Sequence, residues 1–283
     1  WLVIMAVLAA CGGDGANGDA RGSCTTDVEP LAVVQNSEDF VGGAGGWVDP
    51  GSAAPLLITG DWVATRPSFS PDGRRVAVTR ADGDYESAGP TSSDIWIMDV
   101  DGSDRRRITS AVPGQQYDSA AWSPDGEHIA LSFTSFESGQ RGIQVVPGGG
   151  GAPEQVTAPS GRALDRAPAW SPGGNELAYV RIVYGPEVTA EVRGIDPDGR
   201  NDRVITSFDA DIDTLDWSPD GRKLLASVGG SGLPAYSVDL SSGRVSEIGD
   251  AAFARWSGDG RRVYFICPGR ELMQGSMEHG RIT

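Results

Sequence analysis

Trp122-Ser-Pro-Asp-Gly126 is one of five near-copies of a single hairpin signal. The others are Phe69-Ser-Pro-Asp-Gly73, Trp170-Ser-Pro-Gly-Gly174, Trp217-Ser-Pro-Asp-Gly221 and Trp256-Ser-Gly-Asp-Gly260. Their leading aromatics are spaced by 53, 48, 47 and 39 residues. That interval matches a blade of four strands and is too long for a leucine-rich or ankyrin unit, so the chain reads as a toroidal β-propeller.

The turn chemistry explains the recurrence. Pro presets φ for the first turn position, Asp tolerates the second, and Gly accepts the left-handed conformation that follows, which together make a type I turn with a bulge. Short β-rich runs come next: Arg75-Val-Ala-Val-Thr79, His128-Ile-Ala-Leu-Ser132, Glu176-Leu-Ala-Tyr-Val180 and Arg262-Val-Tyr-Phe-Ile266. These are the expected second strands. Asp94-Ile-Trp-Ile-Met-Asp-Val-Asp-Gly102 and Glu191-Val-Arg-Gly-Ile-Asp-Pro-Asp-Gly199 supply a third strand turning into a fourth through Asp-Gly. The fourth strand is expected to end on a β-branched pair: Ile58-Thr59, Ile108-Thr109, Val156-Thr157, Ile205-Thr206 and Ile282-Thr283, with Glu247-Ile248 as a degenerate copy. Six endings predict an all-β, six-bladed propeller of four-stranded antiparallel blades. Whether the ring is complete at its two ends stays open. The first blade falls between Glu29 and Thr59, on Leu31-Ala-Val-Val34, Asp39-Phe-Val41 and Trp47-Val48.

Aromatic-Ser-Pro-Asp-Gly-basic-apolar-Ala, with Asp-Ile-Trp-Ile-Met-Asp and Ile-Thr downstream, resembles the TolB-type propeller repeat over roughly residues 60 to 283. The resemblance implies the propeller fold and envelope-associated protein contacts at the channel mouth. It maps no contact residue onto this chain, and proteins of many functions share the repeat. The expectation departs from TolB itself in two respects: no separate globular domain is read before the repeats, and the start reads as lipidated.

Residues 1–10 read as part of a signal peptide, 11–28 as a flexible tether and 29–283 as the propeller. Trp1-Leu-Val-Ile-Met-Ala-Val-Leu-Ala-Ala10 is an apolar run of ten residues, about half the roughly 20 that span a bilayer as a helix. Leu8-Ala9-Ala10-Cys11 resembles a bacterial lipobox in which Cys11 carries diacylglycerol. The competing reading is an ordinary cleaved signal with a cysteine nearby. Gly12 to Ser23 holds no apolar residue larger than Ala and suits a tether behind a lipid anchor. The expectation is a protein held to the outer face of the cytoplasmic membrane or the periplasmic side of the outer membrane. Cys24 and Cys267 remain; they are either a disulfide that fastens the ring or two free thiols.

The 39 acidic and 23 basic side chains give a net charge of -16. That repels phosphate backbones and argues against nucleic acid as a partner. A monomer is expected, without cofactor or resident metal, that binds an envelope or extracellular protein or a cell-wall ligand.

In antiparallel blades the tight Pro-Asp-Gly and Asp-Gly turns share one face, and the longer connections share the other. The longer connections are read over 60–65, 81–93, 110–117, 133–140, 158–165, 181–190 and 207–213, and binding residues concentrate on such loops. Asp61, Trp62, Tyr117, Asp118, Asp165, Arg166, Asp209, Asp211 and Asp213 are therefore the candidate contact residues. Each carboxylate has solubility as its plain alternative. Trp62 and Tyr117 lie outside the register of the repeated aromatics and are the preferred interaction residues. The repeated aromatics themselves are expected to pack between blades rather than to stack sugars.

Catalytic constellations are thin. The two histidines are His128 in a strand and His279 near the chain end, too few for a zinc site. Gly230-Ser231-Gly232 lacks the setting of a hydrolase elbow. Asp209-Ala-Asp-Ile-Asp213 starts like a calcium loop but carries Thr214 where Gly is required. A non-enzymatic binding scaffold is expected. A carbohydrate-active or peptidase-associated propeller using loop carboxylates is the alternative.

Overall fold

The computed structural model describes residues 64–82, 92–185, 188–229, 234–266, 272–278 and 281–282, with three short strands at 32–35, 44–47 and 56–57. Strands β1 (Ala32–Gln35), β2 (Ala44–Trp47) and β3 (Leu56–Leu57) form a three-stranded antiparallel sheet. Two of the strands expected for the first blade meet it, while Asp39-Phe-Val41 lies outside the described residues.

Five blades follow, each a meander of four antiparallel strands. They are β4 (Ala64–Phe69), β5 (Arg75–Asp82), β6 (Ser92–Asp99) and β7 (Arg106–Arg107); β8 (Gln115–Trp122), β9 (His128–Ser135), β10 (Arg141–Pro147) and β11 (Glu154–Gln155); β12 (Ala163–Trp170), β13 (Leu177–Tyr184), β14 (Val188–Ile195) and β15 (Arg203–Phe208); β16 (Ile212–Trp217), β17 (Lys223–Val228), β18 (Pro234–Asp239) and β19 (Val245–Asp250); and β20 (Ala252–Trp256), β21 (Arg262–Ile266), β22 (Leu272–Glu278) and β23 (Arg281–Ile282). A parallel bridge from Ser93 to Gln116 joins the first two of these blades into one sheet. Among the described residues no sheet closes on itself.

The repeated turn has the predicted geometry. Gly73 donates its N–H to Ser70 O at 2.9 Å and stands at φ +66°, while Ser70 N–H donates to Arg75 O at 2.9 Å. The serine hydroxyl locks the turn from inside: it donates to Asp72 Oδ1 at 2.6 Å and accepts Arg75 N–H at 2.9 Å. Ser123, Ser218 and Ser257 repeat the arrangement. In the third copy, where Gly173 replaces Asp, the Ser171 hydroxyl turns to Asn175 Oδ1 at 3.3 Å. The turns also brace one another. Pro71 lies over Gly126, Pro124 over Gly174, Pro172 over Gly221 and Pro219 over Gly260, at distances where an added Cβ would make ordinary contact, so a side chain at these glycines is opposed by their positive φ rather than by the neighbouring blade.

The motif's aromatics fasten blade to blade. The indole N–H groups of Trp122, Trp170 and Trp217 each donate at 3.1 Å to the carbonyl of Ser68, Ala121 and Ala169, one residue before the aromatic of the preceding copy. This meets the packing expectation, and it gives each ring both apolar burial and a satisfied donor.

The β-branched pairs sit differently from the expectation in the first two four-stranded blades. Strands β7 and β11 stop before Ile108-Thr109 and Val156-Thr157. There the threonine hydroxyl replaces a backbone acceptor, with Thr109 Oγ1 and Thr157 Oγ1 each taking the N–H of the third strand at 2.9 Å. Ile108, Val156 and Ile248 are buried in clusters that span neighbouring blades.

Candidate functional site

The innermost strands β4, β8, β12, β16 and β20 contact one another in succession, and all five line one axial channel. Each carries a bulge against its partner strand. In four of them the residue three places before the aromatic is left-handed although it is not glycine: Arg66 at φ +51°, Ser119 at +55°, Ala167 at +50° and Phe253 at +55°. Such a conformation costs about 1 kcal/mol or more per residue. A bulge bends the strand and re-aims its side chains, here at the channel.

The strands begin earlier than the sequence reading allows, which moves most candidate residues off loops. Tyr117 and Asp118 lie on β8, Asp165 and Arg166 on β12, and Asp213 on β16. The connections after β9 and β13 are correspondingly short, at 136–140 and 185–187, because residues such as Arg181 to Tyr184 continue the ladder with β14.

Tyr117 corrects the expectation of an exposed contact aromatic. It is buried in the core cluster between the first two four-stranded blades, its ring 5.0 Å from that of Phe133, and burial raises its hydroxyl pKa. Asp165 is also structural. It is fully buried and takes a bidentate pair from Arg181, with Nε and Nη2 each at 2.7 Å, which satisfies its charge within one blade. Asp209 is exposed and joins no ion pair among the described residues. Asp61, Trp62, Cys11, Cys24 and Cys267 lie outside the described residues.

Four of the candidates do converge, through an arginine the sequence reading missed. Arg66 reaches Asp118 Oδ2 of the next blade with Nε at 3.1 Å and Asp213 Oδ1 across the channel with Nη2 at 3.1 Å. Arg166 pairs with Asp211, stands 3.8 Å from Asp213 with Nη1, and donates to Ile212 O at 3.0 Å. Asp118 also accepts the Thr79 hydroxyl at 3.1 Å. Burial works against the charge on Arg66, but Asp118 and Asp213 outweigh it and raise its pKa.

Two arginines and three carboxylates thus form a ladder across the loop-side mouth. Below it is a cavity of about 60 Å³ bordered by Arg66, Ser119, Ala167, Thr214 and Phe253. A larger space of about 440 Å³ occupies the turn-side half, between the Trp-lined walls. Among the described residues no three His, Cys, Asp or Glu side chains are grouped to hold a metal. Asp211 and Asp213 are turned to arginines. His128 is exposed beside a turn, away from this ladder.

No family model matches the chain. A TolB homolog of Chlorobium luteolum is 34% identical over 141 residues, which is 50% of this chain and 29% of that protein. The chain spans between 29% and 48% of the length of the curated relatives it matches. Among solved structures, TolB from Acinetobacter baumannii superposes with a TM-score of 0.61 at 18% identity, covering 85% of this chain and 61% of that one. An oligogalacturonate lyase in complex with manganese superposes with a TM-score of 0.59 at 14% identity, covering 83% and 74%. These structural similarities show the fold, and with the sequence match they make this an all-β protein with a TolB-like β-propeller.

Proposed function

We propose that the chain is an exported, lipid-anchored six-bladed propeller that acts without catalysis as a binding scaffold, docking an envelope protein on the loop-side mouth of its channel. The observation that carries this reading is the ladder of Arg66, Asp118, Arg166, Asp211 and Asp213, contributed by four blades at one opening. Paired charges of both signs at a channel rim give register and specificity to a docking partner more than raw affinity. The sequence similarity to a TolB homolog supports a partner in the envelope. Six blades are supported by the five four-stranded meanders together with the three-stranded sheet that adjoins β4. Lipidation of Cys11 rests on the lipobox-like Leu8-Ala9-Ala10, and a Cys24–Cys267 bridge would tie the first blade to the last.

The test is capture from solubilised envelope by immobilised wild-type and Arg166→Glu proteins of equal thermal stability. A partner retained by the first and lost by the second supports the assignment; identical recovery by both refutes it. Cys11→Ser should move the protein from the membrane to the soluble fraction.

The fold similarity to an oligogalacturonate lyase keeps a carbohydrate-active reading in play. In that reading the mouth carboxylates are the acid and base, and their engagement by Arg66 and Arg166 speaks against it. Cleavage of oligogalacturonate abolished by Asp213→Asn would reverse the preference.

A further inference from the structure

Three successive blade junctions are closed by the same neutral bond, from an indole N–H to the carbonyl one residue before the preceding aromatic. The junction between β16 and β20 is built otherwise. Trp256 Nε1 is buried and finds no acceptor among the described residues. The main-chain N–H of Trp256 donates instead to Asp216 Oδ2 at 2.7 Å. Arg255 crosses the same junction from Nη1 to Leu215 O at 3.1 Å, and Ala254 N–H donates to Ser227 Oγ at 3.0 Å.

Asp216 holds the place that Ser68, Ala121 and Ala169 hold in the earlier copies, directly before the motif aromatic. There the main-chain carbonyl accepts; here the side-chain carboxyl does. A carbonyl has no proton to gain or lose, whereas a carboxyl changes its charge. Of these four junction bonds, the one at Trp256 is therefore the one whose strength can follow pH.

The surroundings of Asp216 leave its charge uncompensated. Arg255 of β20 turns its guanidinium to Leu215 O and Ala254 O and forms no ion pair with Asp216 among the described residues. On β17 the ladder partner is Leu225, with Lys223 at the turn end of that strand. Strands β8 and β12 contribute only alanine, proline and tryptophan to the adjoining wall, and β4 contributes Pro67, Ser68 and Phe69. The side of β13 packed against β16 presents Ala178, Val180 and Ile182. On β16 itself, Asp213 is engaged by Arg66. Burial accordingly pushes the Asp216 pKa up to about 6, against the pull of Arg255 and of the Trp256 N–H.

We propose that the β16–β20 junction is a pH-operated seam: with the Asp216 carboxyl neutral the last blade is seated, and with it charged that blade lifts from its neighbour while the other junctions hold. The neutral carboxyl still accepts the Trp256 N–H, without the cost of a desolvated charge. The ionised group gains by reaching water, which it does when β20 moves away. Because the value in the seated blade lies above the ordinary 3.8, seating is firmest in acid and is lost as pH rises through about 6. The mouth ladder is carried by the blades of β4, β8, β12 and β16, none of which lifts, so the docking reading and this one fail separately.

The experiment is hydrogen exchange of the full chain at about pH 5 and about pH 7.5, read peptide by peptide by mass spectrometry and corrected for the intrinsic pH dependence of exchange. Protection of the β20 and β21 amides should fall by about tenfold between the two, as follows for a group titrating at about 6 in the seated blade and at 3.8 in the lifted one. The amides of β8–β10 and β12–β14 should keep theirs. Asp216→Asn, whose side-chain oxygen still accepts the Trp256 N–H, should erase the difference. Trp217→Phe, which breaks the neutral bond of the preceding junction, should lower protection there equally at both pH values. Should Asp216→Asn fail to fold, His279→Asn decides, since with Asp216 in place it must keep the whole difference. No fall in β20 and β21, an equal fall in every blade, a difference that survives in Asp216→Asn or one that disappears in His279→Asn would each overturn the proposal.

Discussion

The junctions at Trp122, Trp170 and Trp217 and the junction at Trp256 use the same residue at the same register, yet they close differently. In the first three the ring is both packed and hydrogen-bonded, so the neighbouring blade is held by a neutral bond insensitive to pH. At the last, a carboxylate from Asp216 takes the main-chain N–H and the indole is left unspent. One copy of a repeat can therefore keep its packing aromatic while the bond that fastens it passes from the indole to the main chain and a titratable carboxylate.

The largest test of that difference is truncation. Trp217→Ala should cost about 3–5 kcal/mol in denaturant unfolding, because it opens a cavity between blades and strands the Ala169 carbonyl. Trp256→Ala should cost measurably less.

Next comes pH. The folded Asp216 titrates at about 6 against an ordinary 3.8, so the protonated form folds better. Its contribution is complete below the lower value and is lost as pH rises through the upper one. Wild type should lose on the order of 2–3 kcal/mol between those values relative to Asp216→Asn, as read from urea midpoints across pH. A parallel profile for the variant would remove the carboxylate from the account.

A smaller effect is expected at the mouth. Arg66→Ala leaves Asp213 facing a part-buried site with one arginine fewer, and should destabilise by about 1–2 kcal/mol. A double-mutant cycle with Asp213→Ala should show coupling of about 0.5 kcal/mol or more. Smallest among the single substitutions is Trp217→Phe, which should cost about 1 kcal/mol more than Trp256→Phe, since only the former breaks a hydrogen bond.

Much of this architecture was legible in the repeat. Ser-Pro-Asp-Gly located the hairpins because its geometry is settled within six residues, by Gly at positive φ and a serine hydroxyl bonded back to its own turn. Strand lengths were less legible, since Arg181 to Tyr184 mixes polar and apolar residues that only pairing with β14 makes a strand. Tyr117 misled for the same reason: an aromatic outside the motif register looked free, but Phe133 and the adjacent blade bury it. Arg66 was missed although a signal existed. Aligning the copies on their aromatics sets Arg66 in one column with Ser119, Ala167, Thr214 and Phe253, directly beside Asp118, Arg166 and Asp213 in the column before it.

By itself the sequence determined the blade unit, the turns that make it and the aromatics that wedge between units, because each depends on interactions closed within one repeat or with the next. Only the tertiary structure decided which charges meet and which donors are left over. Arg66 and Asp213 are 147 residues apart, and curvature around a common axis alone brings their strands across the channel. The unspent indole of Trp256 likewise depends on how the last blade seats against Asp216, a matter of packing that no local pattern encodes.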